Sequence, residues 1–263
     1  MVGQTTLPLQ GKTAIITGGS RGLGKGMTLE LASRGADVII VHSSPNSSPA
    51  ATGLLDQITS LAHRPRVFSI QADLRKPEAA DAIASSIKAW FEDDGRQPKI
   101  HILVNNAGCE VVKPLGNITP EDFAYVYDLN VRGALLMTQA ILPYLSDNGR
   151  IINISSVGSR AGFKELGLYC SSKAALEGLT RCWAAELGKN GTTVNAVNPG
   201  PVQSEMLDNI PKDIVDTQKA QTPLQNRVGT VEEVAAIVCW LAGEDSRWVT
   251  GQTINASGGW TMY

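Results

Sequence analysis

Two side chains of the sequence have types and a spacing that suit proton transfer. Tyr169 and Lys173 are four residues apart in a stretch with a helical pattern, so they share one face of the helix and can point into the same cleft. A tyrosine is a poor proton donor or acceptor near neutral pH because its ordinary pKa is about 10. A nearby ammonium group favours the phenolate, and we therefore expect Lys173 to lower the pKa of Tyr169.

A serine is placed to assist this pair. Ser156 precedes Tyr169 by thirteen residues and follows a predicted strand. Its hydroxyl can hold a substrate carbonyl oxygen while Tyr169 transfers the proton. Ser155 competes for this role, and a Tyr-x-x-x-Lys pair alone is also common on helix surfaces, so the assignment depends on the surrounding elements.

The elements that must position these side chains alternate regularly. Short, nearly continuously apolar runs predict strands at Thr13–Thr17, Val38–Val41, Val67–Ile70, Ile100–Val104, Ile151–Ile154, Thr193–Val197 and Gln252–Asn255. Helical patterns lie at about 23–34, 51–63, 77–93, 120–145, 168–189 and 230–243. The alternation predicts one α/β domain over residues 1–263, a Rossmann-type doubly wound parallel sheet of about seven strands with helices on both faces.

Length and composition narrow the classes of protein. The 263 residues can bury one large core, and 23 basic against 25 acidic residues leave no basic stripe for nucleic acid. No run of about 20 apolar residues predicts a membrane span, and Met1–Gln10 lacks a secretory pattern. We expect a cytoplasmic protein with reduced thiols and no metal site, because four scattered cysteines have neither disulfide density nor metal-ligand spacing: Cys109, Cys170, Cys182 and Cys239.

A glycine-rich turn follows the first strand. It reads Thr17-Gly18-Gly19-Ser20-Arg21-Gly22-Leu23-Gly24 and leads into a helix, whose N-terminus can stabilise a diphosphate. The G-x-x-x-G-x-G spacing differs from the general G-x-G-x-x-G fingerprint. The turn therefore predicts dinucleotide binding, with a tight turn that binds no ligand as the alternative.

The end of the second strand favours NADP(H) over NAD. It reads Val41-His42-Ser43-Ser44, without the carboxylate that would bond the ribose 2′-hydroxyl of NAD. Asp37 begins the strand and reads as a turn residue. Arg21, Ser43 and Ser44 can instead bind a 2′-phosphate.

Two further strand ends can meet the same ligand. Asp73 and Leu74 follow the third strand, and Asn106, Ala107 and Gly108 follow the fourth, where ligands of open α/β sheets bind. We expect them to bracket the adenine and its ribose, although turn chemistry alone also favours such residues. Residues 201–229 then break the alternation with a short helical pattern and no strand, which predicts either a substrate lid or a disordered segment.

Taken together, these motifs resemble the short-chain dehydrogenase/reductase family from Leu9 to the C-terminus. The motifs are Thr17–Gly24, Asn105–Gly108, Ser156, Tyr169-x-x-x-Lys173 and Asn198-Pro199-Gly200. Within the family the chain is similar to 3-oxoacyl carrier-protein reductases, to fungal polyhydroxynaphthalene reductases and to reductases of secondary metabolism.

The resemblance assigns further residues. It implies that Asn130 interrupts a helix and holds a water that links Lys173 to solvent protons, with a capping or surface role as the alternative. Lys173 would also bind the nicotinamide ribose, and Ser156 rather than Ser155 would be catalytic. The nicotinamide carboxamide would be held by Pro199, Gly200, Val202 and Ser204, the last of these in place of the family's usual threonine.

The same resemblance implies a lid at 201–229 and a homo-oligomer, with a tetramer as the usual state. The family's final strand, Gly251–Ile254 here, commonly packs between subunits. The aromatics Trp260 and Tyr263 either close a substrate pocket or pack at an interface.

The expected function is that of an NADPH-dependent ketoreductase acting on a small-molecule ketone or secondary alcohol. The alternatives are an NAD-dependent alcohol dehydrogenase and a non-catalytic dinucleotide sensor, although the Ser, Tyr and Lys set is intact. Apolar lid and loop residues favour a ring or acyl chain over a small sugar: Phe163, Met206, Leu207 and Ile210. Three charged residues either contact a polar substituent or are solvated: Glu110, Lys164 and Glu165.

Overall fold

The computed structural model describes residues 7–43, 48–204, 207 and 211–263. In this part of the chain seven strands form one parallel sheet in the order β3-β2-β1-β4-β5-β6-β7. The strands are β1 (Thr13–Thr17), β2 (Asp37–His42), β3 (Val67–Gln71), β4 (Ile100–Asn105), β5 (Leu145–Ile154), β6 (Thr193–Pro199) and β7 (Thr253–Ala256). The predicted doubly wound, Rossmann-type sheet is therefore confirmed.

Helices cover both faces of the sheet. They are α1 (Gly22–Ser33), α2 (Ser48–Thr59), α3 (Ala79–Asp93), α4 (Pro120–Tyr127), α5 (Ala134–Ile141), α6 (Gly167–Leu187), α7 (Lys212–Gln221) and α8 (Val231–Ala242). One apolar core lies under α1, α2 and α8, and a second lies under α3, α5 and α6. Ile16 of β1 belongs to the first core and its neighbour Ile15 to the second. Alternate side chains thus enter opposite cores, which explains the continuously apolar strands.

The structure corrects three predicted boundaries. The helix predicted at 120–145 is broken by a π-helical turn, Asp128–Gly133, and ends in a 3₁₀ turn, Leu142–Tyr144. β5 begins at Leu145, which pairs with Ile100 before a register shift. α2 ends at Thr59 instead of residue 63, and residues 60–63 form turns before Arg64, which has a φ of 48°.

The strand order creates a crevice at one edge of the sheet. β1 lies beside β4, and the chain winds outwards from this pair in both directions. At such a switch point the loops after the two strands diverge, and ligands bind between them. Among the described residues, no helix has the length and apolar character to cross a membrane.

Candidate active site

A cleft of about 600 Å³ opens at the carboxyl ends of the strands. Most of the predicted site residues lie on its walls: Gly18, Ser20, Arg21, Gly22, Leu23, Gly24, Ser43, Leu74, Asn106, Ala107, Gly108, Ser156, Tyr169, Lys173, Pro199, Gly200, Val202 and Ser204. Ser44, Met206 and Ile210 lie outside the described residues. The loops of one sheet edge thus bring the glycine turn and the Ser, Tyr and Lys set into one space.

The glycine turn is held by the loop after β4. The Asn106 side-chain amide donates to the carbonyl oxygens of Thr17 at 2.8 Å and Gly18 at 3.2 Å. A Cβ atom on Gly24 would lie 2.0 Å from the Gly18 carbonyl oxygen, so this position of α1 accepts only glycine without a shift of backbone. The turn therefore keeps its backbone close to the N-terminus of α1, a geometry that suits a diphosphate.

The walls beside β2 fit a phosphorylated ribose. Arg21 and Ser43 are exposed in the cleft, and the described lining residues at this end include no carboxylate. Asp37 lies at the opposite end of β2, where its carboxylate bonds the Arg66 guanidinium at 2.7 and 2.9 Å. Asp37 is thus the first residue of β2, next to the turn that follows α1, and it lies away from the cleft. The arrangement fits NADP(H) better than NAD.

Asp73 bonds a nearby arginine, whereas the residues on either side of it line the cleft. The Asp73 carboxylate pairs with the Arg75 guanidinium at 2.9 Å, and this hydrogen bond holds the pKa of the carboxyl below its ordinary value. Ala72 and Leu74 line the cleft, whereas Asp73 is not among the lining residues. The wall after β3 is therefore apolar.

Helix α6 carries both members of the proton-transfer pair. The Lys173 Nζ lies 5.7 Å from the centroid of the Tyr169 ring and donates to the Ile154 carbonyl oxygen at 2.7 Å. A Cβ atom on Gly108 would lie 3.3 Å from the same Nζ. Lys173 is thus fixed between the ends of β4 and β5, beside Tyr169.

Burial controls the protonation of this pair. It raises the pKa of Tyr169 to about 12, against the opposing effect of a hydrogen bond from Ser156. Burial also lowers the pKa of Lys173 to about 8. The expectation that Lys173 lowers the pKa of Tyr169 was wrong for this structure, because desolvation of the phenolate outweighs the favourable contacts.

The two adjacent serines have different surroundings. The Ser155 hydroxyl is buried and donates to the Lys173 carbonyl oxygen at 3.2 Å and to Glu177 at 3.3 Å. The Ser156 hydroxyl accepts from the Gly158 N–H at 3.1 Å and bonds Tyr169. Of the two, Ser156 is the one that faces the reacting pair.

Asn130 lies in the π-helical turn that interrupts α4 and α5. Its side chain, 1% exposed, accepts from the Cys109 N–H and donates to the Cys109 carbonyl oxygen, both at 2.9 Å. It also donates to the Ser172 hydroxyl on α6 at 3.0 Å. A Cβ atom on Gly108 would lie 3.4 Å from its Oδ1, so Asn130 stands behind the cleft wall beside Lys173.

The segment after β6 forms the opposite wall. Val202 pairs with Gly229, and the Gly229 N–H donates to the Pro201 carbonyl oxygen at 2.9 Å, which brings the ends of the 201–229 segment together. Arg227 bonds Glu233, the residue that caps α8 with Thr230. Leu207 and Gln218 of this segment line the cleft.

The C-terminal aromatics fold onto this chain's own site. Trp260 lines the cleft, with its ring centroid 5.4 Å from that of Phe163. The Tyr263 hydroxyl donates to the Val157 carbonyl oxygen at 3.3 Å. Pocket closure, one of the two roles left open by the sequence, is therefore the one that Trp260 fits.

Of the three charged residues considered as substrate contacts, one lines the cleft and two do not. Glu110 lines the cleft, and burial raises the pKa of its carboxyl. Lys164 is exposed and lies 3.8 Å from Glu165, and neither residue lines the cleft.

The sequence analysis did not identify two residues at the site, Glu177 and Gln218. The signal for Glu177 was its position four residues after Lys173, on the same face of α6.

Comparisons with known proteins agree with this geometry. The model of a family described as Enoyl-(Acyl carrier protein) reductase matches residues 18–261. The chain is 40% identical over 255 residues to the short-chain dehydrogenase/reductase FrzI of Cladobotryum sp., covering 94% of this chain and 95% of that one. It is 35% identical over 260 residues to the hydroxynaphthalene reductase arp2 of Aspergillus fumigatus, with 94% and 92% covered. The crystal structure of the angucycline C-6 ketoreductase LanV with bound NADP has a TM-score of 0.90 at 32% identity, over 96% of each chain. The chain therefore belongs to the short-chain dehydrogenase/reductase family.

Proposed function

We propose that this protein is an NADPH-dependent ketoreductase that interconverts a ketone and a secondary alcohol. The main support is that Ser156, Tyr169 and Lys173 lie together in one cleft, and that the glycine turn lines the other end of the same cleft. NADPH, when bound, supplies the hydride, and the protein orients and polarises the ketone.

Each residue of the set has a proposed role in proton transfer. The Ser156 hydroxyl donates a hydrogen bond to the ketone oxygen, and Tyr169 gives that oxygen its proton. A pKa of about 12 keeps Tyr169 protonated near neutral pH, so the proton that reduction requires is present. The phenol is a weak acid at that pKa, but the alkoxide formed by hydride transfer is a stronger base than the phenolate and takes the proton. Lys173 stands beside the phenol ring, and Asn130 holds the adjoining loop, so both are placed to support the return of a proton through water.

The cofactor is NADP(H), bound by the cleft residues near the glycine turn. Arg21 and Ser43, with Ser44 from the neighbouring sequence, are proposed to hold the 2′-phosphate. The diphosphate would lie on the backbone of the turn, and the apolar wall at Leu74 would flank the adenine. Pro199, Gly200, Val202 and Ser204 are proposed to hold the carboxamide. Asp73 is proposed to support the adenine and ribose site by fixing the loop after β3, where its carboxylate accepts hydrogen bonds from Arg75.

The proposed substrate is a cyclic or polycyclic aromatic ketone of secondary metabolism. The aromatic side chains Phe163 and Trp260 offer flat apolar faces near the reacting pair, and Leu207 adds an apolar contact from the 201–229 segment, the proposed lid. The similarity of this chain to a hydroxynaphthalene reductase and to an angucycline ketoreductase supports this class.

The test is turnover by purified protein. NADPH oxidation is measured against a bicyclic aromatic ketone, a 3-oxoacyl thioester and an enoyl thioester, with Tyr169→Phe as the loss-of-function variant. Tyr144→Phe, outside the cleft lining, is the matched control. We expect the aromatic ketone to be reduced by the wild type and by Tyr144→Phe only. Turnover of the enoyl thioester alone would favour an enoyl reductase, and cofactor binding without any turnover would favour a sensor.

A tetramer in the cytoplasm is part of the same proposal. Membership of the family supports the tetramer. The four cysteines are free thiols, which a reducing compartment such as the cytoplasm maintains. Sedimentation of the purified protein tests the tetramer, since a monomer at working concentration would contradict it.

A further inference from the structure

We propose that Glu177 and the C-terminal residue Tyr263 are positioning residues for Ser156. Together they hold the segment 155–160 from two sides, without touching the reacting atoms. The inference rests on the proposed function, because it concerns the serine that polarises the ketone.

Glu177 is a buried carboxylate that accepts hydrogen bonds from several residues of the segment 155–160. Its side chain is 4% exposed, on α6 one turn after Lys173. Its Oε1 accepts from the Ser159 hydroxyl, from the Ser155 hydroxyl at 3.3 Å and from the Asn198 side-chain amide at 2.8 Å. Its Oε2 accepts from the Arg160 Nε at 3.3 Å. A charge this deeply buried needs such donors, so the carboxylate and the segment stabilise one another.

Ser156 lies between two of these attachments. Ser155, on one side, is also fixed by its N–H to the Val197 carbonyl oxygen at 2.8 Å. On the other side, the Ser159 N–H donates to the Ser156 carbonyl oxygen at 2.9 Å. The short turn between them delivers the Gly158 N–H to the Ser156 hydroxyl oxygen. Because a serine hydroxyl has one proton, the N–H at its lone pair leaves that proton free for Tyr169 or a ketone oxygen.

Tyr263 holds the same turn through Val157. Its hydroxyl donates to the Val157 carbonyl oxygen at 3.3 Å and lies 3.5 Å from the Asn198 amide that also bonds Glu177. The Arg160 guanidinium lies 4.5 Å from the centroid of the Tyr263 ring. The tail is folded back by the N–H groups of Trp260 and Thr261, which bond Ser257. Tyr263 therefore contacts the turn that orients Ser156, in addition to the contacts that Glu177 makes.

The network predicts an effect on the rate rather than on cofactor binding. A donor to the ketone oxygen must keep its position within a fraction of an ångström, and loosening the turn would move it. The contacts of Glu177 and Tyr263 are made with the segment 155–160 and Asn198, whereas the glycine turn is held by Asn106. NADPH affinity should therefore be spared.

The experiment compares Tyr263→Phe and Glu177→Gln with a control, Met262→Ala, because Met262 is next to Tyr263 in sequence and its side chain is 76% exposed. For each variant kcat and KM are measured for the ketone and for NADPH, together with Tm. We expect Tyr263→Phe, which keeps the ring and removes the hydroxyl, to lower kcat by about fivefold to tenfold with Tm and the KM for NADPH unchanged. Glu177→Gln should lower kcat at least as much, and Met262→Ala should match the wild type.

A second measurement follows the segment itself. Amide hydrogen exchange of a peptide spanning 155–160 should quicken in Tyr263→Phe and remain at the wild-type rate in Met262→Ala. A Tyr263→Phe variant with wild-type kcat would overturn the inference, as would a loss of kcat that only parallels a loss of Tm. If Glu177→Gln does not fold, the kcat and Tm of Tyr263→Phe decide between the two outcomes.

Failure of this inference is separable from failure of the proposed function. If the wild type reduces a ketone and Tyr169→Phe does not, the proposed function stands, and an unchanged kcat in Tyr263→Phe overturns the positioning role alone. If the wild type binds NADPH and reduces no ketone, the proposed function fails, and the positioning role falls with it.

Discussion

Lys173 places an ammonium group where only 4% of the residue is exposed. Burial lowers its pKa from 10.5 to about 8, whereas the unfolded chain keeps the ordinary value. Between these two pH values the unfolded state binds a proton that the folded state does not, so stability rises with pH across that window. Below pH 8 the buried charge costs about 3 kcal/mol of stability. The protein thus keeps a destabilising residue at its reactive centre.

We therefore predict that Lys173→Met abolishes ketone reduction and stabilises the cofactor-free protein at pH 7 by up to about 3 kcal/mol. Urea unfolding at pH 7 and pH 9.5 measures the effect, and the gain should shrink at the higher pH. Lys189→Met, at an exposed lysine after α6, is the control. An equal difference between wild type and Lys173→Met at both pH values would contradict the buried-charge explanation.

The two serines after β5 permit a matched comparison. Ser156→Ala should lower kcat by about 10²-fold with little change in stability, because it removes a donor to the ketone oxygen. Ser155→Ala should lower the free energy of unfolding by about 1 kcal/mol, because its buried hydroxyl bonds Lys173 and Glu177. Its loss of kcat should be the smaller one. Steady-state kinetics and urea unfolding of both variants give the answer, and a larger kcat loss in Ser155→Ala would exchange the assignments.

At the scale of elements, β1, its glycine turn and α1 form one unit with the loop after β4. Gly18 has a φ of 65°, and Asn106 bonds the carbonyl oxygens of the turn. Gly24 allows α1 to start against the Gly18 carbonyl. The cofactor end of the cleft is thus made of backbone, and its shape depends on the absence of side chains.

Gly24→Ala should disturb this unit. Its Cβ would meet backbone that cannot rotate away, so we expect a loss of about 1–3 kcal/mol in stability together with weaker NADPH binding. Gly53→Ala in α2 is the matched control, because no atom of the described residues outside its own helix lies within 4 Å of its Cβ position. That variant should gain up to about 1 kcal/mol from helix propensity. NADPH fluorescence titration and urea unfolding test both, and unchanged NADPH affinity in Gly24→Ala would refute the proposed cradle.

At the scale of the whole molecule, the cleft extends across the strand ends of both halves of the doubly wound sheet. Its walls come from the ends of β1, β2, β4, β5 and β6, from α6 and from the C-terminal tail. A ligand bound there contacts both halves of the doubly wound sheet, so its binding free energy is added to the stability of the whole domain.

NADPH at 100 times its Kd should stabilise the folded protein by about 2.7 kcal/mol. For a chain of this size that corresponds to a rise in Tm of about 5–10 °C. NADH at the same concentration should give a smaller rise, because Arg21 and Ser43 offer a 2′-phosphate site that NADH does not fill. Thermal unfolding measures the difference, and Arg21→Ala should reduce it. Equal shifts by the two coenzymes would contradict the NADP(H) preference.

The sequence by itself determined the local features of this protein. Continuously apolar strands, a glycine turn before a helix and a Tyr-x-x-x-Lys spacing are properties of neighbouring residues, and each predicts its element without reference to the rest of the fold. The order of these elements then predicts a parallel sheet whose strand ends meet at one edge, which is why the main site residues could be named in advance.

Only the tertiary structure decided what depends on contacts between distant residues. The resemblance implied that Asn130 interrupts a helix, but only the structure shows that the π-helical turn at Asp128–Gly133 brings the Asn130 side chain to Cys109 and Ser172. The pKa of Tyr169 rises because the folded protein desolvates it, an effect that spacing to Lys173 does not report. The contacts of Glu177 and Tyr263 join α6, the segment after β5 and the chain end, residues far apart in sequence that meet only when the sheet has formed.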